Sequence, residues 1–530
     1  MPINLPSEIL WHIFMLNASD QREHGTMTME PLVNTRNSSQ VCHEWRHIIM
    51  SSSKMWGRLI LFDDSQRKEW IEEVLRRSGS APLWVYCSVW REEAITDKRR
   101  MDASSFFFEI LAKNWERVEV MVYMIVIHDE HECQKFARDW AFLHRPAPLL
   151  RVFSAWAYDT PSLLVCCPNL PRPVPVKKPL FSATSPLLHT FHSNFDLIDH
   201  HELNFTKLRT LHIFHHSDLS QLLRSLKMMP SLESFSLETF DNYDVGNIPD
   251  VQSTIVLPRL SKLATDTPIL AFLAMLDRIA TAPRCCFQST IRYHDSAVLA
   301  DSILEQVVRQ VPKLLVACIE HAEVTKISGL SLCILGDNVI RLSSCNRCSG
   351  PDFSLRFVWS LSREQYERFF PELLYSFQSR HFSDNVSDLY LELALKWPIS
   401  HPIKNALEAL LLSTTSVTRL HVRRISILKA YVGINLFPRL NILYIRASDF
   451  ESPVIRSTDD TAAYYCLLDF LQGRINIGLP VSMVYIEGPS MMRSDRFTRL
   501  CILLNDLDGL KVVCEDTSTG QKIEYFCGSV

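Results

Sequence analysis

One short apolar motif recurs along most of this chain and constrains its fold more than anything else in the sequence. It places an apolar residue at positions 1, 4 and 6, most plainly in Leu208/Leu211/Ile213 and Leu232/Phe235/Leu237. Leu150/Phe153/Ala155, Leu314/Ala317/Ile319, Val386/Leu389/Leu391, Val417/Leu420/Val422 and Leu440/Leu443/Ile445 repeat it; Leu188/Phe191 and Leu260/Leu263 lack a clear third residue. Proline often stands shortly ahead, at Pro148, Pro186, Pro230, Pro258, Pro312 and Pro438. Side chains two apart on an extended segment share a face, so each copy reads as a short strand with one buried side. Starts at 188, 208, 232 and 260 are 20, 24 and 28 residues apart.

Between the copies the apolar period lengthens to that of a helix. Leu219, Leu222, Leu223 and Leu226 form one such stripe behind Asp218, and Leu270, Leu273 and Leu276 another behind Thr267-Pro268. Leu299 to Val308, Phe369 to Leu374 (behind Ser362 and Gln365) and Ile403 to Leu410 continue the series. The expected class is α/β, with strand and helix in alternation. A single strand–helix unit leaves its apolar face open, and stacking on its neighbours closes it. The spacing is that of the leucine-rich repeat, and this region resembles a degenerate member of that family, with the asparagine position mostly missing. The resemblance implies an irregular solenoid over 61–530. Five prolines between Pro168 and Pro179 make a stiff connection and place a possible sub-boundary near 168–185.

The first sixty residues follow a different pattern. Asn4-Leu5-Pro6-Ser7-Glu8 reads as a helix start, with proline where its missing N–H costs nothing and an acid in the first turn. Ile9, Leu10, Ile13 and Phe14 form its apolar stripe. A polar stretch from Asn17 to Glu30 follows, then Pro31-Leu32-Val33. A second helix is expected over about Ser39–Met50, carrying Val41, Cys42, Trp45, Ile48 and Ile49 on one face. Ser51-Ser52-Ser53 breaks it, and Met55-Trp56 begins a third apolar element.

The segments Leu5-Pro6-x-Glu8-Ile9-Leu10-x-x-Ile13-Phe14, then Val41-Cys42-x-x-Trp45-Arg46-x-Ile48-Ile49, then Trp56, resemble the F-box. Trp70-Ile71-x-x-Val74-Leu75-x-Arg77-Ser78-Gly79-x-x-Pro82-Leu83 resembles the segment that follows the F-box in proteins of mushroom-forming fungi. The usual leucine-rich middle helix is replaced here by the longer, mostly polar stretch 17–38. The resemblance implies a small all-α module over 1–60 that docks on a Skp-type adaptor and, through it, a cullin. Leu5, Pro6, Ile9, Ile13, Val41 and Trp45 are the residues expected to meet that adaptor, with Trp45 also a candidate for internal packing. The implied function is recruitment of a target protein to an SCF-type ubiquitin ligase; the alternative is a ligase-independent scaffold with a vestigial F-box.

Composition narrows the remaining classes. The chain has 530 residues, 47% of them apolar and 22% charged, and a formal net charge of −4, so nothing biases it toward nucleic acid or an anionic membrane. It has no apolar run near the ~20 residues that span a bilayer, and its fifteen cysteines read as reduced thiols of a cytoplasmic or nuclear protein. Among fourteen glycines no two are separated by one residue, and GxGxxG, Walker and GxSxG patterns are all absent. Cys345-x-x-Cys348 has no second close pair to complete a zinc site. His128, His131 and Cys133 read as a solvated loop, as do His200-His201 and His215-His216. We expect no catalytic residue, metal or cofactor, and the target protein on the array is not specified by the sequence.

Overall fold

The computed structural model describes residues 5–18, 30–62, 68–89, 97–127, 140–159, 180–193, 205–214, 219–238, 254–282, 285–292, 301–310, 329–335, 339–344, 354–358, 363–376, 386–394, 400–450, 462–488 and 496–528. The chain divides into two units, Met1–Leu260 with Arg278–Thr281, and Ser261–Asp277 with Ala282–Val530.

The first unit opens with α1 (Ser7–Ala18), α2 (Glu30–Ser38), α3 (His43–Ser51) and α4 (Ser53–Gly57). The carbonyl of Pro6 accepts from the amides of Ile9 and Leu10, so α1 starts at the expected place. The second expected helix, Ser39–Met50, is shorter than expected at its start, and a separate helix precedes it. The Pro31-Leu32-Val33 segment lies within α2, and α3 begins only at His43 because Cys42 is extended (φ −154°) and its Sγ accepts from the Trp45 amide at 3.5 Å. Val41 therefore lies in the turn ahead of α3 and not on a helix face with Trp45. Indole Nε1 of Trp11 donates to Ser52 Oγ at 3.0 Å, joining α1 to the break between α3 and α4.

Trp56 carries the chain from helices into strands. It is buried, donates to the Ile49 carbonyl at 3.0 Å, and lies under the Arg77 guanidinium at 4.6 Å and edge-on to Trp70 at 6.4 Å. Arg77 and Trp70 belong to α5 (Lys68–Ser78), which Gly79 ends at φ +52°, the left-handed conformation that glycine adopts freely.

Seven strands follow: β1 (Ile60–Phe62), β2 (Leu83–Val89), β3 (Val118–Ile127), β4 (Val152–Asp159), β5 (Thr190–Ser193), β6 (Thr210–Phe214) and β7 (Ser234–Glu238). Each pairs in parallel with the next in sequence. The register runs one buried row through Ile60, Val85, Met121, Phe153, Phe191, Leu211 and Phe235, which is position 4 of the motif. Position 6 carries the adjacent row from Phe62 to Leu237, in which Ser193 is the weak third residue of its copy and is fully buried. The crossovers are helical at α5, at α6 (Asp97–Asn114) and at α7 (Leu219–Leu226), but only short 3₁₀ turns are described at Trp140–His144 and Leu180–Ala183. Rings fill the core there: Trp115 packs on Phe142 at 4.8 Å, and Phe153 stacks on Phe191 at 5.2 Å. A separate parallel pair, β8 (Ile255–Leu257) and β10 (Ile279–Thr281), completes this unit.

The recurring prolines have one structural job. The amides of Leu150, Leu188, Leu232, Leu260 and Leu440 each donate to the carbonyl three residues back, at Ala147, Ser185, Met229, Leu257 and Phe437. Pro148, Pro186, Pro230, Pro258 and Pro438 are thus second in a four-residue turn, where the ring fixes φ at the required value. Each turn delivers a position-1 leucine into the core. Pro312 and the Leu314 copy lie outside the described residues.

The second unit begins with β9 (Lys262–Pro268) and α8 (Ile269–Arg278, its last residue in the first unit), and continues with β11 (Cys286–Arg292). β12 (Gly329–Leu335), β13 (Val339–Ser344) and β14 (Ser354–Val358) come next, then α9 (Arg363–Ser376), β15 (Asp388–Ala394), α10 (His401–Ser413), β16 (Arg419–Val422) and β17 (Ile442–Arg446). α11 (Ala462–Asn476), β18 (Met483–Glu487), α12 (Arg496–Leu504), β19 (Lys511–Glu515) and β20 (Lys522–Phe526) end the chain. From β15 to β19 the strands are parallel and in chain order, the first three on motif copies and β18 and β19 beyond the last copy. Two places depart from simple repetition. β12, β13 and β14 form an antiparallel meander, in which β14 returns to pair with β11 and β12 pairs with β15. β20 folds back antiparallel on β19. Among the described residues no helix is long and apolar enough to cross a membrane.

Candidate functional site

Apolar residues on α1 lie on two sides. Leu10, Phe14, Met15 and Ala18 are buried within the helical module. Leu5, Ile9 and Ile13 are 42%, 46% and 40% exposed, and Leu16 extends the same stripe. Ile9, Ile13 and Leu16, spaced four and three residues, share one helical face about 10 Å long, and Leu5 lies just ahead of the helix. Pro6 is exposed at its head. Val41 is 63% exposed in its turn, and Val33 and Met50 also face outward. Trp45 is half-buried and spends its ring on Phe14, edge-on at 5.0 Å and 67°, so it braces α3 on α1. Solvent contact for so many large apolar side chains in so small a module has no stabilising role inside it. Of the residues expected at an adaptor interface, five are outward-facing and Trp45 is largely internal.

The strands present a second kind of surface, on the face opposite their buried rows. In the first unit Trp156, His192 and His212 meet there, with ring centroids 4.8 Å (Trp156–His212) and 5.7 Å (His192–His212) apart. His212 Nε2 lies 3.2 Å from Glu238 Oε1. Burial, and then the neighbouring His212, lower the His192 pKa to about 4, so that ring is neutral near pH 7.

In the second unit the register aligns Tyr390, His421, Tyr444 and Tyr485 on β15 to β18. Their rings stack in succession at 3.8, 4.1 and 5.1 Å. A row of charge runs beside them. Arg423 pairs with Glu392, Tyr485 donates to Glu515, and Lys522 lies 3.4 Å from Glu515. Arg419 lies 2.5 Å from Asp388, which is also 3.8 Å from His421. Periodicity identified the buried residues of these strands but gave no sign of the aromatic row. Tyr390, His421, Tyr444 and Tyr485 are 23 to 41 residues apart in sequence and meet only through strand register. The signal was present as the residue between motif positions 4 and 6.

Among the described residues no group of three or more His, Cys, Asp or Glu side chains is arranged to hold a metal ion. Burial raises the thiol pKa of Cys285 and Cys501 to about 12, and of Cys333 and Cys514 to about 11, so none is a ready nucleophile. Cys345, Cys348, His128, His131, Cys133, His200, His201, His215 and His216 lie outside the described residues.

No family model matches the sequence, and no curated protein matches it. Among solved structures, the crystal structure of the leucine-rich repeat-containing protein LegL7 from Legionella pneumophila is similar at 12% identity. The match covers 62% of this chain and 82% of that one, with a TM-score of 0.26. A likeness that slight carries no argument. The strand register by itself defines the class: an α/β protein of stacked strand repeats, preceded by a small helical module.

Proposed function

We propose that this chain is a substrate-recruiting subunit of a Skp/cullin/F-box ubiquitin ligase and performs no bond-making chemistry itself. The observation that carries the reading is the outward apolar stripe Ile9, Ile13 and Leu16, with exposed Leu5 just ahead of it, on a helix whose other side is already buried. Such a face is completed by a second polypeptide, and the F-box resemblance names that polypeptide as a Skp-type adaptor. The outward-facing strand rows then serve a target protein. Holding target and transfer machinery in one assembly replaces a bimolecular encounter with a nearly intramolecular one.

Replacing Leu5 and Pro6 together by alanine is expected to abolish capture of a Skp-type adaptor while the thermal midpoint changes little, because neither side chain is packed inside the chain. Adaptor binding unaffected by that change removes the proposed docking face. The second reading is a ligase-independent scaffold that keeps the helical module without the adaptor. Failure of the unmodified chain to co-purify with adaptor selects it.

A further inference from the structure

β20 is an outermost strand of the second unit's sheet: among the described residues it pairs with β19 alone. The Asp516 amide donates to the Gln521 carbonyl, and the Cys527 amide to the Leu510 carbonyl, both at 2.9 Å. Antiparallel ladders alternate, so the odd-numbered residues of β20 spend their backbone groups on β19, and those of Lys522 and Glu524 point away from it. Such an edge is a template for another strand, and proteins blunt it with proline, a bulge or exposed charge. Residues 522–526 contain no proline, and their register with β19 is continuous. The two charges there are already held within the chain, Lys522 by Glu515 at 3.4 Å and Glu524 by Lys511 at 2.8 Å. Ile523 shares the buried side of the sheet with its cross-strand neighbour Cys514 and is nonetheless 44% exposed. Phe526 is 53% exposed on the other side.

The charges of this edge select the strand that fits it. A second copy of β20, brought up by a twofold axis, runs antiparallel to the first. Registers that join the outward backbone groups differ by steps of two residues. One sets Lys522 opposite Lys522 of the second copy, and another sets Glu524 opposite Glu524; like charges so placed are destabilising. The register between these sets Lys522 opposite Glu524 at both symmetry-related places. It also puts Ile523 on the axis against its own copy, in a non-hydrogen-bonded pair, where side chains approach most closely. Phe526 then falls opposite Gly520, which has no side chain to obstruct it. Charge alternates along the resulting row, from Lys511 to Glu524 and on to Lys522 and Glu515 of the second copy. We propose that β20 pairs antiparallel with β20 of a second copy of this chain in that register, joining two sheets edge to edge. The contact is isologous and closes at two copies. A pairing this short lies at the small end of specific interfaces, below about 1,200 Å² in total, so association is weak and concentration-dependent. It is independent of adaptor and target binding.

Sedimentation velocity on the full chain, over about 1–100 μM, should show reversible monomer–dimer exchange. Lys522→Glu makes both cross-copy pairs acidic, and Glu524→Lys makes both basic. Each variant alone should therefore dimerise about tenfold more weakly than wild type. An equimolar mixture of the two variants has an unlike pair at both places and should recover dimerisation. Damage to the fold of either variant does not produce that recovery, so the mixture separates a register effect from misfolding. A wild-type chain that stays monomeric throughout, leaving the edge to a strand of another protein, overturns the proposal. So does a dimer that either variant leaves intact, or one that the mixture fails to recover.

Discussion

Two buried titratable residues pull the pH dependence of stability in opposite directions. His192 has its pKa lowered to about 4 by burial and by His212, against about 6.5 when unfolded. The unfolded chain binds that proton first, so its contribution is complete above pH 6.5 and is lost as pH falls toward 4. Asp449 behaves inversely: burial raises its carboxyl to about 7, outweighing a backbone hydrogen bond and Arg446, Arg423 and Arg424. Its Oδ2 is buried without a hydrogen-bond partner among the described residues. The native state holds that proton when the unfolded chain has released it, so stability declines as pH rises from about 4 through 7. Asp449→Asn should therefore raise the denaturant midpoint at pH 8 and change it little at pH 4. His192→Phe should flatten the acid limb between pH 6.5 and 4. Midpoints that move equally at all pH values contradict both assignments. Neither residue stood out in the sequence, because a lone Asp or His takes its environment from strands and turns distant in the chain.

At the scale of elements, the turns ahead of the strands are the most regular device in the fold, and their prolines were visible in the sequence as punctuation without a stated role. One of these turns is held from outside. Arg474 on α11 is 2% exposed, and its guanidinium donates to three carbonyls: Leu436 at 2.5 Å, Phe437 at 3.1 Å and Leu479 at 2.9 Å. Phe437, at φ +51°, opens the turn that leads to β17. Replacing Arg474 by Met leaves the Leu436 carbonyl unpaired in the interior, while Phe437 keeps the Leu440 amide, and should cost about 1–3 kcal/mol for that unsatisfied group. Lysine, a point charge without the planar fork, should recover only part of that. Urea titration of the three proteins checks the order. A lysine variant as stable as wild type shows that a cation alone suffices there. The meander β12 to β14 was not legible from the apolar period, since antiparallel and parallel strands share the same two-residue alternation.

At the scale of the molecule, each unit has its own continuous buried rows, and the helical module joins the first unit through Trp56. That attachment predicts where the chain tolerates shortening. Removing residues 1–52 leaves α4, Trp56 and their contacts with Arg77 and Trp70, and the remainder should stay soluble with a single cooperative unfolding of its first unit. Removing residues 1–60 also deletes Trp56 and the first residue of β1, leaving Trp70 and the β2 edge uncovered, and should lower the thermal midpoint by several degrees or cause aggregation. Equal melting of the two truncations assigns Trp56 no part in the strand core.

The sequence alone determined that strands and helices alternate, which residues of the motif strands are buried, that proline stands ahead of many of them and that the first helices carry apolar stripes. Those properties depend on neighbours within about eight residues, where periodicity and proline geometry act directly. Only the tertiary structure decided which strands are adjacent, that one meander runs against the array, that α1 keeps an outward stripe while Trp45 turns inward, and that four ring-bearing residues far apart in the chain form a continuous row. Register and partner choice depend on which buried faces close against each other, and that is a property of the assembled core.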